Sequence, residues 1–204
     1  VLAPLHKAAG LKRVVVTSLQ AVSGAGKGGV TELETQIRQM FNLHDVKPAV
    51  FSHRIAFNVL PRVADKGEVD AEGNTDEELK LVLETRKILA LPQLAVAATC
   101  VRVPVFHGHS LAIHDVLNSH LDAAAASDIL RQSPGLMVLN DVANNLYPTP
   151  LEAAGQDVTL VGRIRQDASV PFGLALWLSC DNLRTGAALN AVRIAERMLR
   201  EQLL

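Results

Sequence analysis

Residues 12–19 read KRVVVTSL and lead directly into residues 20–29, QAVSGAGKGG. The first stretch is short and rich in β-branched side chains, which predicts a buried strand. The second is a glycine-rich connection. Thr31, followed three positions later by Glu34, predicts the capped start of a helix that runs to about Phe41. These residues therefore predict a strand, a turn and a helix in succession.

The glycine-rich turn is also a candidate binding element. Such a turn after a strand exposes main-chain N–H groups and lets a phosphate or a ring approach closely. The glycines of residues 20–26 match neither a Walker A loop nor the GxGxxG fingerprint. From spacing alone, a ligand-binding turn and a plain connection both remain open.

Hydrophobic periodicity and capping signals predict the other elements. Thr75 and Glu78 form a second capping box, ahead of a helix over 76–89. Residues 1–10 already have the pattern of a helix interior, so the chain is expected to begin within a domain. The remaining expectations are helices over 123–131 and 186–203, strands over 93–102, 110–117, 135–139, 157–165 and 173–179, extended chain over 48–58 and a surface loop over 62–75.

The order of these elements predicts an α+β (α/β) fold. Several consecutive strands from Gly135 onward lack an intervening helix. This favours a mixed, largely antiparallel sheet with helices packed on one face over a doubly wound parallel sheet. No clear linker or repeat divides the chain, so residues 1–204 are expected to form one domain. The last helix has one apolar face, made of Ala188, Ala191, Val192, Ala195, Met198 and Leu199.

The composition excludes several classes of protein. Apolar residues make up 49% of the chain and charged residues 20%, a balance that suits a globular protein and not a disordered one. Twenty basic and 21 acidic side chains give a net charge of −1, which offers no bulk electrostatic case for nucleic-acid or membrane binding. The uncharged stretch 88–101 is too short to span a membrane.

The two cysteines indicate the expected cellular compartment, and each is a candidate nucleophile. Cys100 and Cys180 are too few for a disulfide scaffold, so the reducing cytoplasm is the expected compartment. Both lie in apolar, strand-like sequence without a glycine elbow ahead of them. Because burial there raises the pKa of a thiol, both are expected to be core residues rather than nucleophiles.

The segment that follows Cys100 carries candidate functional side chains. Arg102 ends an apolar strand, where a guanidinium requires a carboxylate or phosphate partner. His107 and His109 are two residues apart and share a face of an extended chain. They could form half a metal site completed by His114 or Asp115, supply a general acid or base, or be plain surface histidines.

Two further segments are open to more than one interpretation. Glu77 and Lys80 lie three residues apart on a helix, which is the geometry of an ordinary surface ion pair. Residues 181–188, DNLRTGAA, form a polar turn that closes a strand and opens a helix. Such a turn can bind an anion or an amide, or can simply cap the helix.

Eight strings in order resemble the aspartate-semialdehyde dehydrogenase family. The likeness extends over nearly the whole chain. The strings are QAVSGAG (20–26), IAFN (55–58), ETRKIL (84–89), TCVRVPV (99–105), GHS (108–110), YPTPL (147–151), VGRIR (161–165) and DNLRTGAALN (181–190).

The resemblance implies a fold and a reaction. The fold is that of the carboxy-terminal domain of glyceraldehyde-3-phosphate dehydrogenase. The reaction is NADPH-dependent reductive dephosphorylation of 4-aspartyl phosphate to L-aspartate 4-semialdehyde, on the route to lysine, methionine and threonine. In the family a cysteine thiolate attacks the acyl phosphate and expels phosphate, and the thioester then accepts hydride. The family also implies a homodimer formed through this region.

The resemblance also assigns roles to individual residues. It implies that Gln20 is catalytic and orients the substrate, that Arg102 clamps the substrate carboxylate and that His109 is the acid/base. It implies that Glu77 contacts the substrate amine and Lys80 the phosphate. Ser23, Gly24 and Asn182 correspond to cofactor contacts, and no residue corresponds to a metal ligand.

The chain departs from the family pattern in several respects. The amino-terminal cofactor-binding domain and the nucleophilic cysteine of the family would precede Val1, and Leu19 stands where the family usually has Tyr. The chain alone is therefore expected to be inactive. The alternative is a non-catalytic, truncated paralogue that serves as a dimerisation or partner-binding protein.

The proposed roles also make a geometric demand. Arg102 and His109 would lie on opposite faces of a straight strand. They can serve one small substrate only if the chain bends between them, and Pro104 and Gly108 are the residues that permit a bend. Both side chains are therefore expected to point into one cleft, with Gln20 on its rim.

Overall fold

The computed structural model describes residues 1–64 and 69–203. The helices are α1 (Leu2–Ala9), α2 (Gly26–Phe41), α3 (Asp76–Ile88), α4 (Ala123–Arg131), α5 (Pro150–Ala153) and α6 (Leu189–Arg200). The strands are β1 (Leu11–Gln20), β2 (Ala95–Arg102), β3 (His109–Leu117), β4 (Leu136–Val138), β5 (Thr159–Asp167) and β6 (Gly173–Cys180). Part of the predicted surface loop, residues 65–68, lies outside the described residues.

The strands form one mixed sheet in the order β2-β1-β3-β6-β5-β4. The β1–β2 and β4–β5 pairs are parallel, whereas β1–β3, β3–β6 and β6–β5 are antiparallel. The predicted mixed, largely antiparallel sheet is therefore confirmed. The central strands β1, β3 and β6 are the ones that position the site described below.

Helices cover one face of this sheet. Leu5 of α1 and Leu130 of α4 pack in one buried cluster with Val14, Ile113 and Leu176 of the three central strands. Alternate residues of the same strands point to the other face, on which Ala112 and Trp177 are only partly buried. The prediction of helices on one face is confirmed, and the opposite, more open face is covered in part by the chain at Pro148, whose carbonyl accepts from Nε1 of Trp177 at 3.1 Å.

Helix α2 begins earlier than its sequence predicts. The expected cap at Thr31 is wrong, because the helix starts at Gly26, directly after a 3₁₀ turn at Val22–Ala25. A Cβ on Gly29 would lie 2.5 Å from the carbonyl oxygen of Val22, so a glycine is required where the helix packs against this turn. Tertiary packing here overrides the local capping signal.

The segment predicted to be extended, residues 48–58, forms bends and turns instead. Two buried side chains of α2 hold it in place. Glu32 accepts hydrogen bonds from the N–H groups of Ala49 and Val50, and Gln36 accepts from those of Ile55 and Ala56 at 2.9 and 3.0 Å. Because side chains satisfy these N–H groups, the segment needs no neighbouring strand.

The carboxy-terminal helix also differs from the helix predicted over 186–203. A π-helical turn at Arg184–Ala188 precedes α6, and no residue of α6 is buried. Val192 and Leu199, which belong to its predicted apolar face, are 54% and 66% exposed. No helix in the described ranges is long and apolar enough to cross a membrane.

Candidate active site

The sheet order brings three predicted functional side chains to one edge. Gln20 ends β1 and pairs with Arg102, which ends β2, in the parallel register. His109 begins β3, which runs antiparallel on the other side of β1, and Leu19 pairs there with Ser110. Because side chains alternate along a strand, Gln20, Arg102 and His109 all point to the helix-covered face.

The chain connecting β2 to β3 crosses over the end of β1. The N–H of Val103 donates to the carbonyl of Gln20 at 3.0 Å, and the N–H of Val22 donates to the carbonyl of Val105 at 2.8 Å. Gly108 then reverses the chain with a φ of +89°, a conformation that L side chains rarely adopt. The bend demanded by the sequence is therefore a crossover, in which Arg102 and His109 lie on strands that flank β1.

Gly24 shows how closely these side chains converge. A Cβ built on Gly24 would lie 2.6 Å from Nη1 of Arg102 and 3.2 Å from both Cε1 and Nε2 of His109. Arg102 and His109 therefore face the same space, a cleft beside Gly24, as the sequence predicts, whereas the position of Gln20 on its rim stays a prediction. A side chain at position 24 would occupy the space where the two groups meet.

The main chain of Ala21 contacts both groups. Its N–H donates to Nδ1 of His109 at 3.1 Å, and its carbonyl accepts from Nη1 of Arg102 at 2.8 Å. Ala21 is fully buried. Sequence reasoning missed this residue, because an alanine that acts through its main chain leaves no signal in side-chain patterns.

The first turn of α3 docks beside Gln20. Nε2 of Gln20 donates to Oε1 of Glu77 at 3.1 Å, and Nζ of Lys80 lies 3.5 Å from Oε2 of Glu77. The capping box of Thr75 and Glu78 is present as predicted, and Glu78 also accepts from the N–H of Cys100 at 2.9 Å. The Glu77–Lys80 ion pair thus exists, and Gln20 connects it by a hydrogen bond to the end of β1, although the Lys80 side chain is 53% exposed.

The predicted cofactor contacts also lie together. Oγ of Ser23 donates to Oδ1 of Asn182 at 3.1 Å, and the N–H of Gly108 donates to the same oxygen at 3.0 Å. The neighbouring Asp181 accepts from the N–H groups of Gly155, Leu183 and Arg184 at 2.7, 2.8 and 3.0 Å. These bonds fix the turn of Asn182 against the turns of Ser23 and Gly108, next to Gly24 in sequence.

The electrostatics of the cleft favour a neutral imidazole. Burial and the Arg102 guanidinium lower the pKa of His109 to about 4, with Asp181 acting in the opposite direction. His109 is therefore uncharged near neutral pH. Arg62, which no sequence pattern singled out, lines the same cleft as Gly24 and Arg102.

The metal-site hypothesis is not supported by this arrangement. His107 is exposed, and His114 points to the open face of the sheet, opposite to His109. Asp115 is 1% exposed and lies in the core beneath the helices. In the described ranges, no group of three or more His, Cys, Asp or Glu side chains could hold a metal ion.

Both cysteines are free thiols in apolar surroundings. Cys100 is fully buried on β2, and burial raises its pKa to about 11. Cys180 is partly buried at the end of β6, and burial raises its pKa as well. The prediction that neither is an activated nucleophile agrees with these shifts, since the thiolate is the reactive form.

The fold and the cleft together define the class of protein. The sequence profile of the semialdehyde dehydrogenase dimerisation domain matches residues 2–185. An aspartate-semialdehyde dehydrogenase from Streptomyces akiyoshiensis is 49% identical over 212 residues, covering 98% of this chain and 61% of the relative. One from Aquifex aeolicus is 43% identical over 204 residues, covering 100% of this chain and 59% of the relative.

Solved structures agree with the sequence relatives. Aspartate semialdehyde dehydrogenase II from Vibrio cholerae matches with a TM-score of 0.93 and 42% identity, over 98% of this chain and 58% of that chain. The same enzyme has also been solved complexed with ASA. This chain belongs to the aspartate-semialdehyde dehydrogenase family and corresponds to the carboxy-terminal part of its members. It spans about three fifths of the length of the curated relatives it matches.

Proposed function

We propose that residues 1–204 are a single carboxy-terminal catalytic and dimerisation domain of an aspartate-semialdehyde dehydrogenase. The reaction is NADPH-dependent reductive dephosphorylation of 4-aspartyl phosphate to L-aspartate 4-semialdehyde, in lysine, methionine and threonine biosynthesis. The observation that carries the proposal is the approach of Arg102 and His109 beside Gly24, next to Gln20, which is the strand partner of Arg102 and hydrogen-bonds Glu77 of the ion pair with Lys80. The two free thiols suit a reducing cytoplasm as the compartment.

The cleft chemistry suits a small amino-acid substrate. Arg102 binds the substrate carboxylate, for which a planar guanidinium provides paired donors. Glu77 binds the amine and Lys80 the phosphate, with opposite charges facing each group. Gln20 bridges the two halves of the site, since it hydrogen-bonds Glu77 and ends the strand that lies between Arg102 and His109.

The residues at the cleft mouth fit one end of a nicotinamide cofactor. A Cβ on Gly26 would have no atom within 4 Å, so the main chain of this turn is open to the approach of a ring. Ser23, Gly24 and Asn182 adjoin that opening and are the residues that would hold the cofactor. When bound, NADPH supplies hydride. We place the rest of its binding site, and the nucleophilic thiolate, in residues outside this chain.

The function is tested with the full-length protein, translated from the open reading frame that contains the codons for residues 1–204. This full-length product is the complete protein. We expect it to reduce NADP with aspartate semialdehyde, in a reaction that depends on phosphate. Pure 204-residue chain should show no turnover, because the raised pKa of Cys100 and of Cys180 disfavours the thiolate of either. An inactive complete protein contradicts the proposal and favours the non-catalytic paralogue. Turnover by the 204-residue chain contradicts the placement of the nucleophile.

We further propose that the open face of the sheet forms the homodimer. Ala112 on β3 pairs with Trp177 on β6 at the centre of this face, and both are only partly buried. A sheet face with an apolar centre of this kind, bordered by polar side chains such as His114 and Arg165, suits a cover, and a second copy of the same face is self-complementary.

Ala112→Glu tests this assembly. A carboxylate at the centre of an apolar interface is costly to bury, so the variant should sediment as a monomer at micromolar concentration while the unmodified protein sediments as a dimer. Ala124→Glu adds the same charge to an exposed position of α4 and should remain a dimer. A dimeric Ala112→Glu variant would place the interface elsewhere.

A further inference from the structure

Glu32 and Gln36 of α2 are buried polar side chains that the proposed reaction does not use. Glu32 is 7% exposed and Gln36 is 1% exposed. Nε2 of Gln36 donates to Oε1 of Glu32 at 2.8 Å, so the two side chains form one network. Burial of a carboxylate and an amide is costly unless their oxygens have hydrogen-bond donors, and here the other donors come from one neighbouring segment.

That segment, residues 49–56, forms a strap along α2. The carboxylate of Glu32 accepts from two successive main-chain N–H groups at one end of the strap, and Oε1 of Gln36 accepts from two at the other end. The strap is neither helix nor strand, so these N–H groups take side-chain partners in place of a ladder. Its course therefore depends on the two side chains of α2.

The strap completes a small core next to the glycine-rich turn. This core is distinct from the one between the sheet and its helices, and its buried members come from the turn, from α2, from the strap and from the chain that follows it. They are Val22, Leu33, Ile55, Ala56 and Leu60. Val22 begins the 3₁₀ turn that also contains Ser23 and Gly24, the predicted cofactor contacts. Release of the strap would therefore expose the apolar side chain on which this turn rests.

Direct packing against the first turn of α2 connects the strap to the same place. A Cβ on Gly28 would lie 3.3 Å from Cγ2 of Val50, and one on Gly29 would lie 3.1 Å from Cζ of Phe51. The same Cβ on Gly29 would lie 2.5 Å from the carbonyl oxygen of Val22. Strap, helix and turn are thus closely packed, so a shift of the strap is passed to the turn.

The strap borders the cleft as well. Residues 50–52 line it together with Gly24 and Arg102. Arg102 is fixed by the parallel ladder that pairs it with Gln20, and the strap takes no part in that ladder. Gly24, by contrast, belongs to the turn that rests on the small core. Loss of the strap should therefore disturb the turn more than the arginine.

We propose that Glu32 and Gln36 are positioning residues for the cofactor side of the cleft. Because they hold the strap in place, they fix the turn of Ser23 and Gly24 in the position that binds the nicotinamide end of the cofactor. Their loss weakens cofactor binding more than substrate binding. This inference rests on the proposed function for the identity of the cofactor, and it leaves the proposed substrate site unchanged.

Glu32→Gln in the complete protein tests this inference. Glutamine has nearly the shape of glutamate, but its NH₂ group replaces one acceptor oxygen and, in either orientation, sets a donor against a donor. We expect the Kd for NADPH, followed by nicotinamide fluorescence, to rise about tenfold, and the KM for aspartate semialdehyde to change by less than about twofold. Glu34→Gln makes the same change at an exposed ion pair with Arg38 on α2 and should leave both values within about twofold of the unmodified protein.

Hydrogen exchange of the same proteins shows whether the strap acts on the turn, independently of cofactor binding. In Glu32→Gln, the amides of the strap and of residues 22–25 should exchange about tenfold faster, whereas Glu34→Gln should leave both segments unchanged. Faster exchange in the strap alone, with the turn still protected, would overturn the inference. An unchanged affinity for NADPH, or an equal loss of affinity for NADPH and aspartate semialdehyde, would overturn it too.

Gly28→Val disturbs the same contact from the other side and replaces Glu32→Gln if that variant does not fold. Valine is no worse than glycine in a helix, and its side chain would press on Val50. The folded variant, as judged by circular dichroism, should raise the Kd for NADPH by about threefold or more, and an unchanged Kd would contradict the positioning role. An unmodified protein that does not bind NADPH would instead contradict the proposed function, and the exchange of the turn would still decide whether the strap positions it.

Discussion

Replacing His109 with alanine in the complete protein should lower kcat by roughly 10²- to 10⁴-fold, the usual loss when a general acid/base is removed. The ring is held by the N–H of Ala21 and lies beside Gly24, so its position in the cleft is fixed. Steady-state kinetics with aspartate semialdehyde, phosphate and NADP measure the effect, and thermal unfolding shows whether the variant is folded. An unchanged kcat in a folded variant would remove His109 from the reaction.

Arg102→Lys provides the contrasting result. A lysine keeps the charge but loses the planar pair of donors, so KM for aspartate semialdehyde should rise by about 10- to 100-fold. The carboxylate is bound throughout the reaction, so kcat should change less than KM does. A variant that loses kcat and keeps KM would exchange the roles proposed for Arg102 and His109.

Elements with local signals could be predicted from the sequence. The β-branched run of β1 and the capping box that opens α3 indicate the right structure, because their cause lies within a few residues. The short helix α5 was missed, although Thr149 and Glu152 form a capping box there. The predicted start of α2 is wrong because the 3₁₀ turn at Val22–Ala25 continues directly into the helix, so Thr31 lies inside it and does not cap it.

The site was predictable in its residues but not in its construction. The sequence indicated that Arg102 and His109 must approach each other, and it attributed the approach to a bend at Pro104 and Gly108. The structure achieves it by placing β1 between β2 and β3, an order that no spacing along the chain reveals. The contacts of Ala21 could not be predicted, because they involve only main-chain atoms.

Asp115 is expected to make the 204-residue chain less stable as the pH rises. It is 1% exposed, and neither carboxyl oxygen has a hydrogen-bond partner in the described part of the chain. On the neighbouring strands it pairs with Val14 and Leu174, which offer no polar group. Burial raises its pKa to about 7, and the charged amino group of Val1, whose own pKa is lowered by burial, opposes this rise.

Proton binding by Asp115 determines whether the free energy of unfolding rises or falls with pH. The carboxyl has a pKa of about 7 in the folded chain and about 3.9 when unfolded. Between these values the folded state holds more protons than the unfolded state, so the contribution of this carboxyl to the free energy of unfolding falls as pH rises from about 4 to about 7 and is then constant. A shift of this size corresponds to about 4 kcal/mol. Asp167, whose pKa is lowered to about 2 chiefly by its hydrogen bonds to Ser169, titrates below this window. His109, whose pKa is lowered to about 4 in the folded chain, contributes in the opposite sense up to about pH 6.5, so the effect of Asp115 is measured as a difference between variants.

Asp115→Asn isolates this charge, because it removes the titration and leaves the shape of the side chain nearly unchanged. The free energy of unfolding of this variant, measured by urea titration of the 204-residue chain, should equal that of the unmodified chain at about pH 4. At about pH 8 it should exceed that of the unmodified chain by up to about 4 kcal/mol. Asp128→Asn, at an exposed ion pair of α4, should differ by less than about 1 kcal/mol at both pH values. Asp115→Leu should be stabilised further, since it also removes two buried oxygens without partners. If the difference between the unmodified chain and Asp115→Asn did not change with pH, Asp115 would not be a buried, neutral acid in the folded chain.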